Sequence, residues 1–180
     1  ERLIKLSNKV SLNRRLWISR IVNITNQIIK KLDKNFSINL SFRSDSLEIS
    51  KFKKKLKQNR GRDKILEHSS IGAHKDKITF LVEKVDIFNF GSEGEKKTIA
   101  LAVKISEILI LKKLEDKFPL VLVDEIGSEF DEKRFIFFYN FLTTINTQCF
   151  ITASNKNLLN RMDKKHSLFS VTNGDCKKIS

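Results

Sequence analysis

The sequence is short of several things that small folds lean on. Its two cysteines, Cys149 and Cys176, are too few and too isolated for a zinc site or a disulfide framework, so a reducing, cytoplasmic setting is expected. No stretch approaches the roughly 20 continuous apolar residues of a membrane helix. The opening Glu1-Arg2-Leu3-Ile4-Lys5 has no apolar segment of a secretory signal, and no membrane partner is expected. Methionine occurs once, at Met162 and not at the start, so the chain reads as a piece cut from a longer protein. Glycine occurs six times, and none is followed by Lys-Ser or Lys-Thr. The phosphate-loop pattern G-x-x-x-x-G-K-[ST] is therefore missing, and the chain has no such loop with which to cradle β- and γ-phosphates.

Acidic residues are scarce too, 21 against 35 Lys and Arg, for a net charge of +14. The shortage is local. Residues 1–60 carry 16 basic and 4 acidic side chains, and residues 61–180 carry 19 and 17. Codon bias toward lysine would load both parts alike and leaves this asymmetry unexplained. A basic segment of this kind draws polyanions, and nucleic acid is the commonest one inside cells.

Taken in order, residues 2–34 read as a long amphipathic helix carrying Leu3, Leu6, Val10, Trp17, Ile21, Ile24, Ile28 and Leu32, with Trp17 in the core. Phe36, Ile38, Leu40 and Phe42 alternate as a half-buried strand. Ser44 or Ser46 can cap a second helix that ends in a lysine run. Lys53, Lys54, Lys55 and Lys57 in that run are the candidate phosphate contacts, the other reading being a solvated face. Arg60-Gly61-Arg62-Asp63 breaks the pattern. Residues 70–77 form a polar loop leading into a strand with Ile78, Phe80 and Val82; His74 in that loop reads as a surface or loop-packing residue. Asp86 to Phe90 is a short strand or turn.

Glu95 to Leu114 follows as a helix apolar on nearly every face, hence buried all round. Ser92 and Glu95 fit a capping box at its start. Gly94 does not need to be there for capping, and a glycine in a first turn costs up to about 1 kcal/mol relative to alanine. A helix mouth with free N–H groups, a hydroxyl and no β-carbon suits a phosphate.

Pro119 then stops the chain before Leu120-Val121-Leu122-Val123, a short apolar run that reads as a central strand of a parallel sheet, covered on both faces. Asp124 and Glu125 fall at its carboxyl end, where open α/β sheets place ligands. Adjacent carboxylates there either begin a solvated loop or meet a cation; a Mg²⁺ that keeps several waters fits. Asp131 can cap the next helix, Glu132–Ile145. Cys149 to Thr152 reads as the next parallel strand, completing a right-handed β-α-β unit. Asn155 to Arg161 is a short helix, Leu168 to Val171 a last strand, and Gly174 to Ser180 a frayed end. The division expected is a basic, mostly helical lobe over 1–60, connecting strands and the apolar helix over 61–118, and the sheet over 119–180.

In order and spacing these pieces resemble the C-terminal half of RecF, the ABC-type ATPase family of bacterial recombinational repair. Gly91-Ser92-Glu93-Gly94-Glu95-Lys96-Lys97-Thr98 looks like the signature G-S-x-G-E-x-x-T. Leu120 to Asp131 looks like the Walker B strand and D-loop. Ser70 to Phe80 looks like V-G-P-H-R-D-D-x-x-F, from which Ala73, Lys75 and Lys77 depart. The resemblance implies an α/β fold: the C-terminal half of an ABC-type P-loop NTPase head, plus a helical lobe. It implies ATP and Mg²⁺ as cofactors, with Ser92, Gly94 and Glu95 seating the γ-phosphate of a neighbouring head. Asp124 would hold Mg²⁺ through water, Glu125 would activate the attacking water, and Ser128 and Asp131 would lie in the D-loop at a dimer interface. It further implies an ATP-dependent homodimer on double-stranded or gapped DNA, a RecR-like mediator as partner, slow hydrolysis without a switch histidine, and a place at the nucleoid within the SOS response. Three other readings compete: a non-hydrolysing DNA-binding module, another SMC-like repair ATPase, and a metal nuclease built on Asp124, Glu125 and Asp131.

Overall fold

The structure, a computed structural model, describes residues 1–33, 36–126, 130–145, 147–154 and 166–179. They divide into two compact units, Glu1–Asp116 and Lys117–Ser180. Among the described residues, no helix is long and apolar enough to cross a membrane.

The first unit is built on two long helices, α1 (Arg2–Leu32) and α4 (Glu93–Glu115), which pack together. Ile18, Ile21, Ile28, Ile29 and Leu32 of α1 are buried, as are Ile99, Leu101, Ala102, Ile105 and Ile108 of α4. A polar pair sits in this contact: Ser106 donates to the Ala102 carbonyl at 2.6 Å and lies 3.0 Å from Thr25 Oγ1. Both hydroxyls are thus satisfied where an orphan would be costly.

Two expectations change here. In the first half of α1 the buried line runs through Ser7 and Ser11, while Leu3, Leu6 and Val10 are exposed. Trp17 is half-buried, and its neighbour Ile18 takes the core position. The reason is the neighbour each face meets: Asn8 donates to the Ser46 and Leu47 carbonyls, and Ser11 to a carboxylate, so polar groups on that face find polar partners. Helix α4 is also not buried all round, since Ala100, Lys104, Leu111 and Leu114 face outward.

Strands β1 (Asn39–Arg43), β2 (Lys77–Val82) and β3 (Val85–Asp86) form an antiparallel sheet, with Leu40 opposite Phe80. Between β1 and β2 lies α2 (Ile49–Leu66). It runs through Arg60-Gly61-Arg62-Asp63 unbroken, because Gly61 sits on an open face where only the modest glycine helix penalty applies. Neither Ser44 nor Ser46 caps it; Glu48 holds that position without a side-chain bond. After β3, residues Ile87–Phe90 form a short helix, α3, capped by Asp86, whose carboxylate accepts from the Phe88 N–H at 3.0 Å.

In the second unit, β4 (Val121–Val123) pairs in parallel with β5 (Cys149–Ile151), with α5 (Glu132–Ile145) between them in sequence. Val121, Ile126, Phe135, Phe138 and Leu142 are its buried apolar side chains. Among the described residues the strand is not covered on both faces: Leu120 and Phe150 are exposed, and Leu122 is 72% exposed. Residues 174–178 are not frayed either. Strands β6 (Phe169–Thr172) and β7 (Asp175–Lys178) make a hairpin, closed by Asn173-Gly174 with φ of 52° and 87°. Both central residues at positive φ are what a two-residue hairpin turn requires. The short helix expected over Asn155 to Arg161 lies outside the described residues.

Candidate functional site

The acidic pair stands at the carboxyl end of β4, where its register with β5 delivers two hydroxyls. Thr152 N–H donates to the Val123 carbonyl at 2.9 Å, extending the ladder one step past the strands. The Thr152 hydroxyl then donates to Asp124 Oδ1 at 2.6 Å and accepts the Glu125 N–H at 2.8 Å. Two residues on, Ser154 donates its N–H and its hydroxyl to Glu125 Oε1, at 3.2 and 2.9 Å. Glu125 itself is in the left-handed region, φ 46°, costly for a residue with a β-carbon. The acidic dipeptide is therefore held in place by Thr152 and Ser154.

Asp124 is exposed and gives one oxygen to Thr152. A single carboxylate with room around it fits Mg²⁺ held largely through water, since that ion keeps most of its hydration shell. Among the described residues no three His, Cys, Asp or Glu side chains converge as an all-protein cation cage would need. Asp131 caps α5: its carboxylate accepts from the Arg134 N–H at 2.9 Å and pairs with the Arg134 guanidinium. Ser128 lies outside the described residues.

In the first unit, Ser92 begins α4 with the capping box its sequence suggests. Its hydroxyl accepts from the Glu95 N–H at 3.2 Å, and the Glu95 carboxylate takes the Ser92 N–H at 2.8 Å. The donations from the Ser92 hydroxyl and N–H hold the Glu95 carboxyl below the usual glutamate range. Ser92 is exposed and Gly94 half-buried, so the helix mouth faces outward.

The glycine whose space is accounted for is Gly91. A β-carbon there would stand 2.3 Å from Ile87 Cδ1 and 2.6 Å from the Ile87 carbonyl oxygen, and Ile87 is buried. Sequence reasoning gave Gly91 no such role. Nor did it find the clasp on the loop before β2. There the Asp76 side chain, only 2% exposed, receives Ser11 Oγ at 2.8 Å and the Arg14 guanidinium at 2.9 Å. In the same loop Gly72 has φ 142°, and His74 is exposed with Nε2 2.8 Å from the Ser69 carbonyl.

Lys53, Lys54, Lys55 and Lys57 are all exposed on α2. Lys55 pairs with Asp45, and Lys51 reaches Glu48 at 2.7 Å. Lys53, Lys54 and Lys57 have no acidic partner among the described residues.

No family model matches the chain. It is 33% identical over 135 residues to the DNA replication and repair protein RecF of Streptococcus gordonii, covering 74% of this chain and 36% of that protein. To RecF of Lactococcus lactis it is 26% identical over 179 residues, 99% of this chain and 49% of the relative. The chain thus spans about half the length, or less, of the curated relatives it matches. Among solved structures, the recombination mediator protein RecF-ATP of the RecFOR pathway superposes with a TM-score of 0.78 at 20% identity, over 99% of this chain and 48% of that one. A structure from work on ATP-driven dimerisation and DNA-stimulated activation of SMC ATPases gives 0.53 at 18% identity, over 94% and 88%. The fold is that of the C-terminal half of an ABC-type ATPase head with a helical lobe.

Proposed function

Since the chain is RecF-like along nearly its whole length, we propose that it supplies the signature and Walker B half of an ATP-dependent DNA-binding clamp for recombinational repair and replication restart. Two heads close on ATP while on DNA and reopen after slow hydrolysis. The observation that carries this reading is the held acidic pair at the tip of β4, with Asp124 and Glu125 each fixed by a hydroxyl from the run just past β5.

Each residue then has a task. Asp124 holds Mg²⁺ through water, and the ion neutralises charge on the phosphates when bound. Glu125 orients the attacking water. Phosphoryl transfer asks for little more than positioning and charge neutralisation, so a fixed carboxylate suffices. Ser92, Gly94 and Glu95 offer the mouth of α4 to the γ-phosphate held by a second head, and Ser128 and Asp131 lie at the contact between the heads. The exposed lysines of α2 meet the phosphates of double-stranded or gapped DNA. A RecR-like mediator is the expected protein partner, the nucleoid the expected location, and the SOS response the setting. This segment alone, without a phosphate loop, binds ATP weakly and does not turn it over.

The rival reading is a DNA-binding, dimerising module that never hydrolyses. Glu125→Gln in the full-length chain separates the two. Hydrolysis should collapse while ATP-dependent dimers persist; a variant that behaves as the unmodified protein in both assays leaves only the rival. A nuclease built on Asp124, Glu125 and Asp131 is disfavoured by Asp131 being spent on Arg134 and the α5 cap.

A further inference from the structure

Glu125 carries the chemistry in the proposed function, yet its own backbone is in a conformation that side-chain-bearing residues avoid. Something must hold it, and what holds it is the run past β5. Thr152 binds the Glu125 N–H and the Asp124 carboxylate with one hydroxyl. Ser154 brings two donors, N–H and Oγ–H, onto a single carboxylate oxygen of Glu125. The Ile126 N–H closes the same loop on the Thr152 carbonyl at 3.1 Å. The hydroxyls at 152 and 154 thus address the two acids in turn, one each.

Two donors from one residue converging on one oxygen restrict the carboxylate far more than a lone hydrogen bond would. They define both where the oxygen sits and the plane in which the second oxygen lies. Positioning is the main service an enzyme gives to phosphoryl transfer, and small misplacements of a water-orienting group are expensive in rate. Alanine at 154 would keep the N–H and remove the hydroxyl, which makes the shorter of the two bonds.

We propose that Ser154 is a positioning residue for ATP hydrolysis, fixing the direction of the Glu125 carboxylate through its hydroxyl, as Thr152 fixes Asp124. The inference rests on Glu125 being the water-orienting group. It assigns a positioning task to a side chain that acts through Glu125.

The test uses the full-length chain, with kcat and KM for ATP measured alongside ATP-dependent association. Ser154→Ala should lower kcat on the order of tenfold, leave KM within about twofold and leave association intact. Ser154→Thr, which keeps a hydroxyl, should restore most of the rate. Adding Ser154→Ala to Glu125→Gln should cost nothing further, because the two act as one unit. A serine that only stabilised the fold would shift the melting temperature and spare kcat. An unchanged or raised kcat in Ser154→Ala overturns the proposal, as does a threonine variant that associates on ATP but does not recover. If Glu125→Gln alone hydrolyses normally, the water-orienting role falls and this inference with it. If Glu125→Gln is dead but Ser154→Ala is not, only the inference about Ser154 falls.

Discussion

The Arg14 guanidinium donates to Asp76 Oδ2 at 2.9 Å, joining residues 62 positions apart and tying α1 to the loop that leads into β2. Ser11 adds a second bond to the same oxygen at 2.8 Å. The Asp76 side chain is buried while that of Arg14 is half-exposed, so the carboxylate depends on its partners more than the arginine does. Arg14→Ala leaves a buried charge with the Ser11 hydroxyl as its remaining side-chain donor. We expect a loss of about 1–3 kcal/mol in urea unfolding, toward the lower end because water can enter the vacated space. An unchanged midpoint would mean the clasp contributes nothing.

Gly91→Ala places a methyl group on Ile87 and, less forgivingly, on the Ile87 carbonyl oxygen. The expected cost is about 1–3 kcal/mol, the usual range for overpacking. Trimming Ile87 to Ala in the same chain should not rescue it, since the carbonyl remains. Full rescue would show that only the side chain constrains this position.

Glu95 should make the start of α4 sensitive to acid. Its folded pKa is lowered by hydrogen bonds from Ser92. A lowered carboxyl pKa contributes stability that is fully present above the unfolded-state value and is lost as pH falls through the folded one. Amide exchange at residues 93–97 should therefore speed up as pH drops through that window, after correction for intrinsic rates, and Glu95→Gln should show a flatter dependence. Equal pH profiles for the two chains would contradict the capping-box account.

The lysines of α2 should not be equal toward DNA. Lys51 and Lys55 are partly neutralised by Glu48 and Asp45, whereas Lys53, Lys54 and Lys57 have no acidic partner among the described residues. Alanine at each of the latter three should make the slope of log K against log salt shallower by about 1 for every DNA phosphate that lysine had neutralised. Alanine at Lys55 should do less. A slope indifferent to all three would move the DNA-binding surface off this helix.

Much of this is legible in the sequence because it is local. The Ser92–Glu95 spacing specifies a capping box with no help from the rest of the chain, and an apolar run closed by two acids specifies a strand tip. What stays hidden depends on partners far along the chain. Nothing in Arg2–Leu32 says that Ser7 and Ser11 will face inward; for Ser11 that follows from Asp76 and Ser44 arriving there. The open face of β4 follows from what does not cover it in the described residues, which composition cannot foretell. Ser154 carries no signal of its own in the sequence, and its bond to Glu125 depends on parallel register across 29 positions. Two further features are local and lie within reach of sequence reasoning. Asn173-Gly174 between β-capable runs is a hairpin signal, and Gly61 alone is too weak a breaker to end a helix.

The central claim is that the mouth of α4 serves a nucleotide bound by another copy, while Asp124 and Glu125 serve their own. A mixing assay in full-length chains tests it. Ser92→Arg and Asp124→Asn should each abolish ATP turnover when assayed alone. Mixed, they should regain it, because one of the two composite sites in the mixed dimer then has an intact acidic pair and an intact Ser92. Turnover that stays absent in mixtures shown to contain the mixed dimer would contradict the account.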